Sequence, residues 1–288
     1  MPRGSGSTGD RGGASGNRPS NRDYRNPAQR SPHGPKVVPN TPRGTTFRKP
    51  ELVPAATSLW QYPSQNYDAG QGHTQGDPSY IGATPGWVVW QVLSRYTNPG
   101  DTVVDPMCGS GTTLDVCKDL RRVGRGFDLV PRRDDIRQAD ARALPLKDAS
   151  AHLAFVDPPY STHIDYSDHP DCIGRLDAGA SDAYFRAMFE MLSELCRVAR
   201  TGGVIAVYVS DTVSPSGAFV PIGFTLWSML TSDLRCEPID IVGVVRRNAK
   251  LREPKRNERS RSGSPLARGF NWLLLVQAPS SASRSRKG

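Results

Sequence analysis

Apolar residues in this chain fall into short β-length runs separated by stretches with helical spacing, and the pattern starts only after a long polar lead-in. Residues 1–56 are rich in Gly, Ser, Pro, Arg and Asn, with Tyr24 and Phe47 as the only aromatics. Such a stretch buries too little apolar surface to offset its ordering entropy, so 1–56 is expected to be a disordered basic arm. Order is expected from Ser58-Leu59-Trp60 onward, where Trp60, Tyr62 and Tyr67 come close together.

Beyond that point strand and helix patterns alternate, the signature of βαβ units on a parallel sheet. Strands are expected at 102–105, 126–129, 136–139, 153–156, 204–209, 239–245 and 270–276. A helix is expected from a Thr84-Pro85 start to Tyr96, with others over 112–122 and 219–231. A longer one over 181–199 places Tyr184, Met188, Leu192 and Cys196 on one face, with Gly202-Gly203 closing it. Seven strands with helices between them predict one α/β domain, a doubly wound and mostly parallel seven-stranded sheet over 57–278, with a basic loop insert at 246–269 and a disordered basic tail at 279–288.

Length and charge sharpen this reading. A chain of 288 residues suits one medium domain with extensions. No apolar run reaches the ~18–20 residues of a membrane span, and the start of the chain lacks the apolar centre of a secretory signal. The expectation is a cytoplasmic protein with no membrane partner. Five scattered cysteines form no CxxC pair, which fits a reducing compartment and argues against a structural zinc site. Net charge is +9 but unevenly spread: residues 1–50 carry ten Lys/Arg against two acids, and residues 246–288 carry twelve against two. The intervening body is acidic. Basic arms on an acidic body suit a polyanion, because each cation at a phosphate releases counterions. Arg246, Arg247, Lys250, Arg252, Lys255, Arg256, Arg259 and Arg261 are the candidate nucleic-acid contacts.

The chemistry gathers at predicted strand ends. Asp105, Pro106, Met107, Cys108, Gly109, Ser110, Gly111 and Thr112 form a strand-to-helix turn of the kind that binds ligands at the carboxyl edge of open α/β sheets. Glycines there allow backbone to approach a ligand. No Lys follows Gly111, so the turn is not a P-loop, and GxGxxG is incomplete. A nucleoside without a pyrophosphate is the expected ligand. Asp128 stands where such folds hold a ribose hydroxyl pair, and Asp140 is placed to accept from an adenine amino group. At the end of the next strand comes Asp157-Pro158-Pro159-Tyr160. An exocyclic amine on a base is a poor nucleophile, its lone pair delocalised into the ring. Asp157 and the Pro158 carbonyl could accept its two hydrogens and aim that lone pair, while Tyr160 offers a flat face to an unstacked base.

With Asp105–Thr113 as cofactor motif and Asp157–Tyr160 as catalytic motif, the chain resembles S-adenosylmethionine-dependent DNA amino-methyltransferases of the N4-cytosine/N6-adenine type. The resemblance covers about 58–278. It implies a class I methyltransferase (Rossmann-like) fold, S-adenosyl-L-methionine as cofactor and DNA as partner, with a restriction nuclease as a possible companion. It also implies that the acid ending the second strand binds the cofactor's ribose and that the segment around Thr84 forms a further cofactor motif. The cofactor motif precedes the catalytic one, and the short interval between them leaves no room for a target-recognition domain. That order is shared with tRNA guanosine N2-methyltransferases, so RNA stays open as the alternative substrate, and a non-catalytic nucleic-acid-binding protein as a further one.

Other constellations weigh less. His163, Asp165, Asp168 and His169 cluster after the catalytic motif, but no partner set completes a metal site, and no metal is expected. That loop, with Tyr166, is expected to border the target base. Cysteine-nucleophile chemistry is disfavoured because no Cys lies near Asp157 in sequence. Ser210-Asp211 suits either the pocket wall or a helix cap.

Overall fold

A computed structural model describes residues 51–70, 74–246, 265–266 and 268–279. Its frame is a single sheet of eight strands. In chain order these are β1 (Leu59–Tyr62), β2 (Thr102–Asp105), β3 (Val123–Asp128), β4 (Ile136–Gln138), β5 (Ala151–Val156), β6 (Ala199–Val209), β9 (Glu237–Arg246) and β10 (Asn271–Gln277). β7 (Thr212–Val213) and β8 (Phe219–Val220) form a separate two-stranded ribbon. The helices are α1 (Gly86–Tyr96), α2 (Thr112–Asp119), α3 (Ala183–Val198) and α4 (Ile222–Ser228). No helix among the described residues is long and apolar enough to cross a membrane.

The spatial order is β1-β9-β10-β6-β5-β2-β3-β4. Every neighbouring pair is parallel except those of β10, which runs antiparallel to both β6 and β9. From β2 the chain moves outward to β3 and β4, then returns to place β5 on the other side of β2. The switch point therefore lies between β2 and β5, where Asp105 and Asp157 emerge.

Strand alternation splits each central strand between two cores. Val103, Leu153, Phe155, Ala206, Tyr208, Leu273 and Leu275 pack with α1 residues Trp87, Val88 and Val92. Their neighbours Val104, Ala154, Val156, Ile205, Val207, Leu274 and Val276 pack with Met188, Leu192 and Leu195 of α3 and Leu226 of α4. Both faces are covered, which explains why these strands read as continuous apolar runs rather than alternating ones.

The doubly wound, mostly parallel α/β architecture expected from the pattern is present, with four corrections. The sheet has eight strands, not seven: Leu59–Tyr62 adds an edge strand beside β9, turning Trp60 and Tyr62 into the α1 core. The last residues of the expected disordered arm are anchored, because the buried Gln91 side chain accepts from the Ala55 N–H and donates to the Val53 carbonyl at 2.9 and 2.7 Å. Gly202-Gly203 does not close α3; the chain passes from Val198 directly into β6. A Cβ at Gly203 would lie 3.1 Å from the His152 carbonyl oxygen, so the glycine allows β5 to approach where the register shifts. Finally, the expected 219–231 helix is shorter, since Phe219–Val220 joins the ribbon and one π turn, Met229–Asp233, follows α4. The basic insert from Arg247 to Ser264, the bulk of the expected arm and the final tail lie outside the described residues, as do Lys250, Arg252, Lys255, Arg256, Arg259 and Arg261.

The antiparallel β10 is the element that joins the two halves of the sheet. Leu274→Ala there is expected to cost about 2–5 kcal/mol through lost burial and a residual cavity, read as a lower urea midpoint with an unchanged slope.

Candidate active site

Three strand ends and one loop define the site. β2 ends on Asp105, which is buried. Its carboxylate accepts from the Met107 N–H at 3.0 Å and from the Thr113 hydroxyl at 2.5 Å, tying both ends of the glycine turn to the strand. β3 ends on Asp128, whose carboxylate accepts the Gly109 N–H at 2.9 Å and the Val130 N–H at 3.0 Å. Two acids thus hold the turn through its Met107 and Gly109 N–H groups. Gly111 caps α2 with φ +85°. A Cβ on it would come within 2.3 Å of the Arg133 guanidinium, which donates to the Ser110 and Gly111 carbonyls and to Asp115. Only glycine meets both demands at this position.

β5 ends on the motif. The Asp157 carboxylate accepts from the Thr84 hydroxyl through Oδ2 at 2.7 Å and from the Tyr160 hydroxyl through Oδ1 at 2.6 Å. Asn271 Nδ2 donates in turn to the Tyr160 hydroxyl oxygen at 3.1 Å, which commits the tyrosine proton to Asp157. The Tyr184 hydroxyl donates to the Pro159 carbonyl at 2.7 Å. Directly after the motif Ser161 adopts φ +71°, an unfavourable conformation for a side-chain-bearing residue and one that concentrates at functional sites.

Thr84, Asp157 and the glycine turn line an open cleft. Thr84, Asp105, Pro106, Met107, Cys108, Gly109, Ser110, Thr112, Asp128, Asp140 and Asp157 all face it, as expected from sequence. Gly111, Pro158 and Tyr160 are not among its lining residues. Thr84 bonds to Asp157 instead of capping α1, whose cap is Pro85. Tyr160 is a strut rather than an exposed stacking face: its ring packs on the α3 core and its hydroxyl is fixed at both sides. Asp140 forms an ion pair with Arg142 at 2.6 Å. Burial pushes the Asp140 carboxyl up, but the Arg142 hydrogen bonds prevail and hold it below the ordinary range.

Several lining residues carried no sequence signal. Tyr80 sits over the turn, where a Cβ on Gly109 would lie 3.1 Å from its ring, and the Arg132 guanidinium stands 5.2 Å from the ring centre. Tyr80, Arg132 and Asn271 stand in stretches with no motif, and only the fold brings them in. Tyr166, expected beside the target base, does face the cleft. The fold also brings Cys172 to the same cleft as Asp157, contrary to the sequence separation, together with Cys108. Burial and the charges of Asp105 and Asp128 push the Cys108 thiol well up, away from the thiolate a nucleophile needs. His163 turns to the Thr212 hydroxyl, and no group of three His, Cys, Asp or Glu side chains suited to a metal occurs among the described residues. Asp211 takes the capping role: it accepts from the Gly223 N–H at 2.8 Å and from the Trp272 indole at 2.9 Å.

The cleft is strongly acidic. Asp105, Asp128, Asp140, Asp157 and Asp171 line it, against the single cation Arg132. Burial first, then the charges of Asp157 and Asp128, push the Asp105 carboxyl up to about 7 despite its two hydrogen-bond donors. Leu129, Val130, Ala141 and Ile173 give the same cleft an apolar stretch. A ligand with one flat apolar part and a cationic part fits both features.

Residues 19–136 match the family model described as DNA methylase, N6_N4_Mtase, consistent with a DNA amino-methyltransferase. The match takes in the glycine turn and ends before Asp157. No curated protein matches the chain. Among solved structures, TrmN from Thermus thermophilus aligns at 15% identity and TM-score 0.44, over 69% of this chain and 50% of its own. Geranyl diphosphate C-methyltransferase from Streptomyces coelicolor A3(2) aligns at 14% identity and TM-score 0.43, over 71% and 85%. The 1,6-didemethyltoxoflavin-N1-methyltransferase of Burkholderia thailandensis aligns at 13% identity and TM-score 0.42, over 67% and 77%. The fold is a doubly wound, mostly parallel Rossmann-like α/β sheet.

Gly111→Ala is expected to destabilise the protein by about 1–3 kcal/mol, combining the left-handed backbone penalty with displacement of Arg133. Urea denaturation of the two proteins measures it.

Proposed function

We propose that this protein is an S-adenosylmethionine-dependent methyltransferase acting on an exocyclic amino group of a base in DNA, N4 of cytosine or N6 of adenine. The observation that carries the reading is Asp157: a carboxylate fixed by two hydroxyl donors, lining an acidic cleft, on the strand next to the glycine turn. The DNA methylase family match supports it from the other side of the site.

The residues present fit the cofactor. Its sulfonium and ammonium groups are cationic, and the cleft is lined by five carboxylates. In this reading the turn from Asp105 to Thr112 takes the amino-acid end, Asp128 the ribose hydroxyls, and Asp140 with the apolar stretch the adenine. When bound, the cofactor supplies an electrophilic methyl group on sulfur.

The chain's own part is to prepare the amine. The Thr84 and Tyr160 hydroxyls fix the Asp157 carboxylate in place. In this reading Asp157 accepts a hydrogen of the target amine, and the Pro158 carbonyl accepts the other. Both contacts draw the nitrogen out of conjugation with the ring and aim its lone pair into the cleft. As positive charge develops on that nitrogen, the adjacent carboxylate stabilises it. The surplus proton then leaves to solvent. Asn271, holding Tyr160, fixes the direction of the whole chain of donors.

Asp157→Asn keeps the shape but inverts one acceptor into a donor. Methyl transfer to DNA is expected to fall by about a thousand-fold or more, with calorimetric affinity for S-adenosylhomocysteine within about three-fold of wild type. Retained transfer overturns the proposal. Mass spectrometry of nucleosides from treated DNA and RNA identifies the base, and methylation confined to RNA overturns the substrate.

The raised Asp105 carboxyl gives a pH signature. Its folded value lies above the usual one for a carboxylate, so ionisation costs the fold stability as pH rises towards about 7. A bound cation favours the ionised form. Affinity for the cationic S-adenosylmethionine relative to the neutral-sulfur S-adenosylhomocysteine is expected to rise between pH 6 and 8, by up to about ten-fold. Titration calorimetry at the two pH values measures the ratio, and Asp105→Ala is expected to weaken binding of both and flatten the change.

A further inference from the structure

Three phenylalanines are exposed at one corner of the sheet, and together they form a surface that the methyl-transfer site does not use. Phe219 is 43%, Phe224 61% and Phe270 41% exposed. Trp272 joins two of them: its ring centre lies 5.4 Å from that of Phe224 and 4.6 Å from that of Phe270, edge to face in both cases. The third is covered by Arg268, whose guanidinium stands 4.8 Å from the Phe219 ring centre.

The cluster is held rigidly. The Trp272 indole N–H donates to the buried Asp211, which also accepts from the start of α4. Trp272 lies against Gly223, where a Cβ would approach within 2.3 Å of the ring. Glycine at 223 thus lets α4 and β10 bring Phe224 and Phe270 to the same indole. Exposed aromatic area of this kind is unfavourable in water, and its concentration at one corner marks a contact surface.

Its position ties it to the site. β10 is antiparallel, so it enters the sheet at the edge where the parallel strands end. Asn271 holds the Tyr160 hydroxyl and thereby Asp157, while its sequence neighbours Phe270 and Trp272 stack on each other. Arg268 places a positive charge beside the rings. The stretch 247–264, outside the described residues, joins β9 at Arg246 and carries seven Lys/Arg against two Glu. A polyanion with aromatic faces complements the rings and these cations.

We propose that Phe224, Phe270 and Phe219, with Arg268, form a stacking platform for an unpaired stretch of the DNA strand beside the target nucleotide. This rests on the reading of the chain as a DNA methyltransferase. To reach Asp157 a base has to leave its stack, and its neighbours lose partners. Rings at this corner supply replacement faces, and stacking of that kind tolerates any sequence.

The test is fluorescence anisotropy with a fluorescein-labelled oligonucleotide, single-stranded and as duplex, on the full chain. Phe224→Ser and Phe270→Ser are expected to weaken single-strand binding by about five-fold or more each and duplex binding by less than about two-fold. Arg268→Gln is expected to lower the salt dependence of single-strand binding by about 0.7 in log–log slope. Thermal midpoints and S-adenosylhomocysteine affinity check that each variant is folded with its cleft intact; Phe224, the most exposed, is the decisive position. Unchanged single-strand affinity in both Phe variants overturns the proposal. So does sedimentation showing that wild type is a dimer which Phe224→Ser converts to monomer. Failure of the methyltransferase reading is seen separately, as absence of methyl transfer and of S-adenosylhomocysteine binding in wild type.

Discussion

Gathering carboxylates at one edge of a sheet is the constraint around which this protein is built. Asp105, Asp128 and Asp157 come from three strands; burial first, and then the charges of the latter two, push the Asp105 carboxyl up to about 7. Repulsion of this kind works against folding. The chain offsets it with donors close at hand: Met107, Gly109 and Val130 give backbone N–H groups, and Thr84, Thr113 and Tyr160 give hydroxyls. None of those donors is a cation. In the proposed function a positively charged ligand supplies the charge that these donors do not. The electrostatic cost of gathering the acids then becomes selectivity for a cationic cofactor.

That arrangement also explains which side chains were readable in advance. The acids and glycines stand at strand ends and in the turn, where local pattern sets position, so the meeting of Asp105, Asp128, Asp157 and the loop at one cleft was legible. The residues that orient them were not. Thr84 looked like a helix cap, because Thr-Pro before an apolar run commonly is one, yet its hydroxyl crosses to Asp157. Tyr160 looked like a stacking surface, yet a phenol beside a carboxylate gains more by donating to it, and the core behind it takes the ring. Asn271 was invisible for a simpler reason: its partner is more than a hundred residues away, and an asparagine opening a strand has no local signature.

The same distinction runs through the fold. Both-face burial wrote the central strands as apolar runs, and their number and direction followed. The edge strand Leu59–Tyr62 escaped because it is four residues long and exposes every second side chain. Gly202-Gly203 misled because a glycine pair reads as a helix stop, while here it relieves crowding between β5 and β6. Local rules identify what a residue permits. Long-range packing decides which permission is used.

Reversal of one strand has the widest consequence. Were β10 parallel to its neighbours, its first residues would lie at the opposite edge from the site. Antiparallel entry instead delivers Asn271 to Tyr160, and brings Phe270 and Trp272 to the same edge as immediate neighbours in the chain. The orientation of Asp157 and the aromatic corner are therefore coupled through consecutive residues of a single strand. A shift in the β10 register by one residue would lose both, because it would exchange the side chains presented to the two faces. This accounts for the tight definition of that strand's start: Trp272 is fixed by Asp211 and Gly223, and Asn271 beside it by Tyr160.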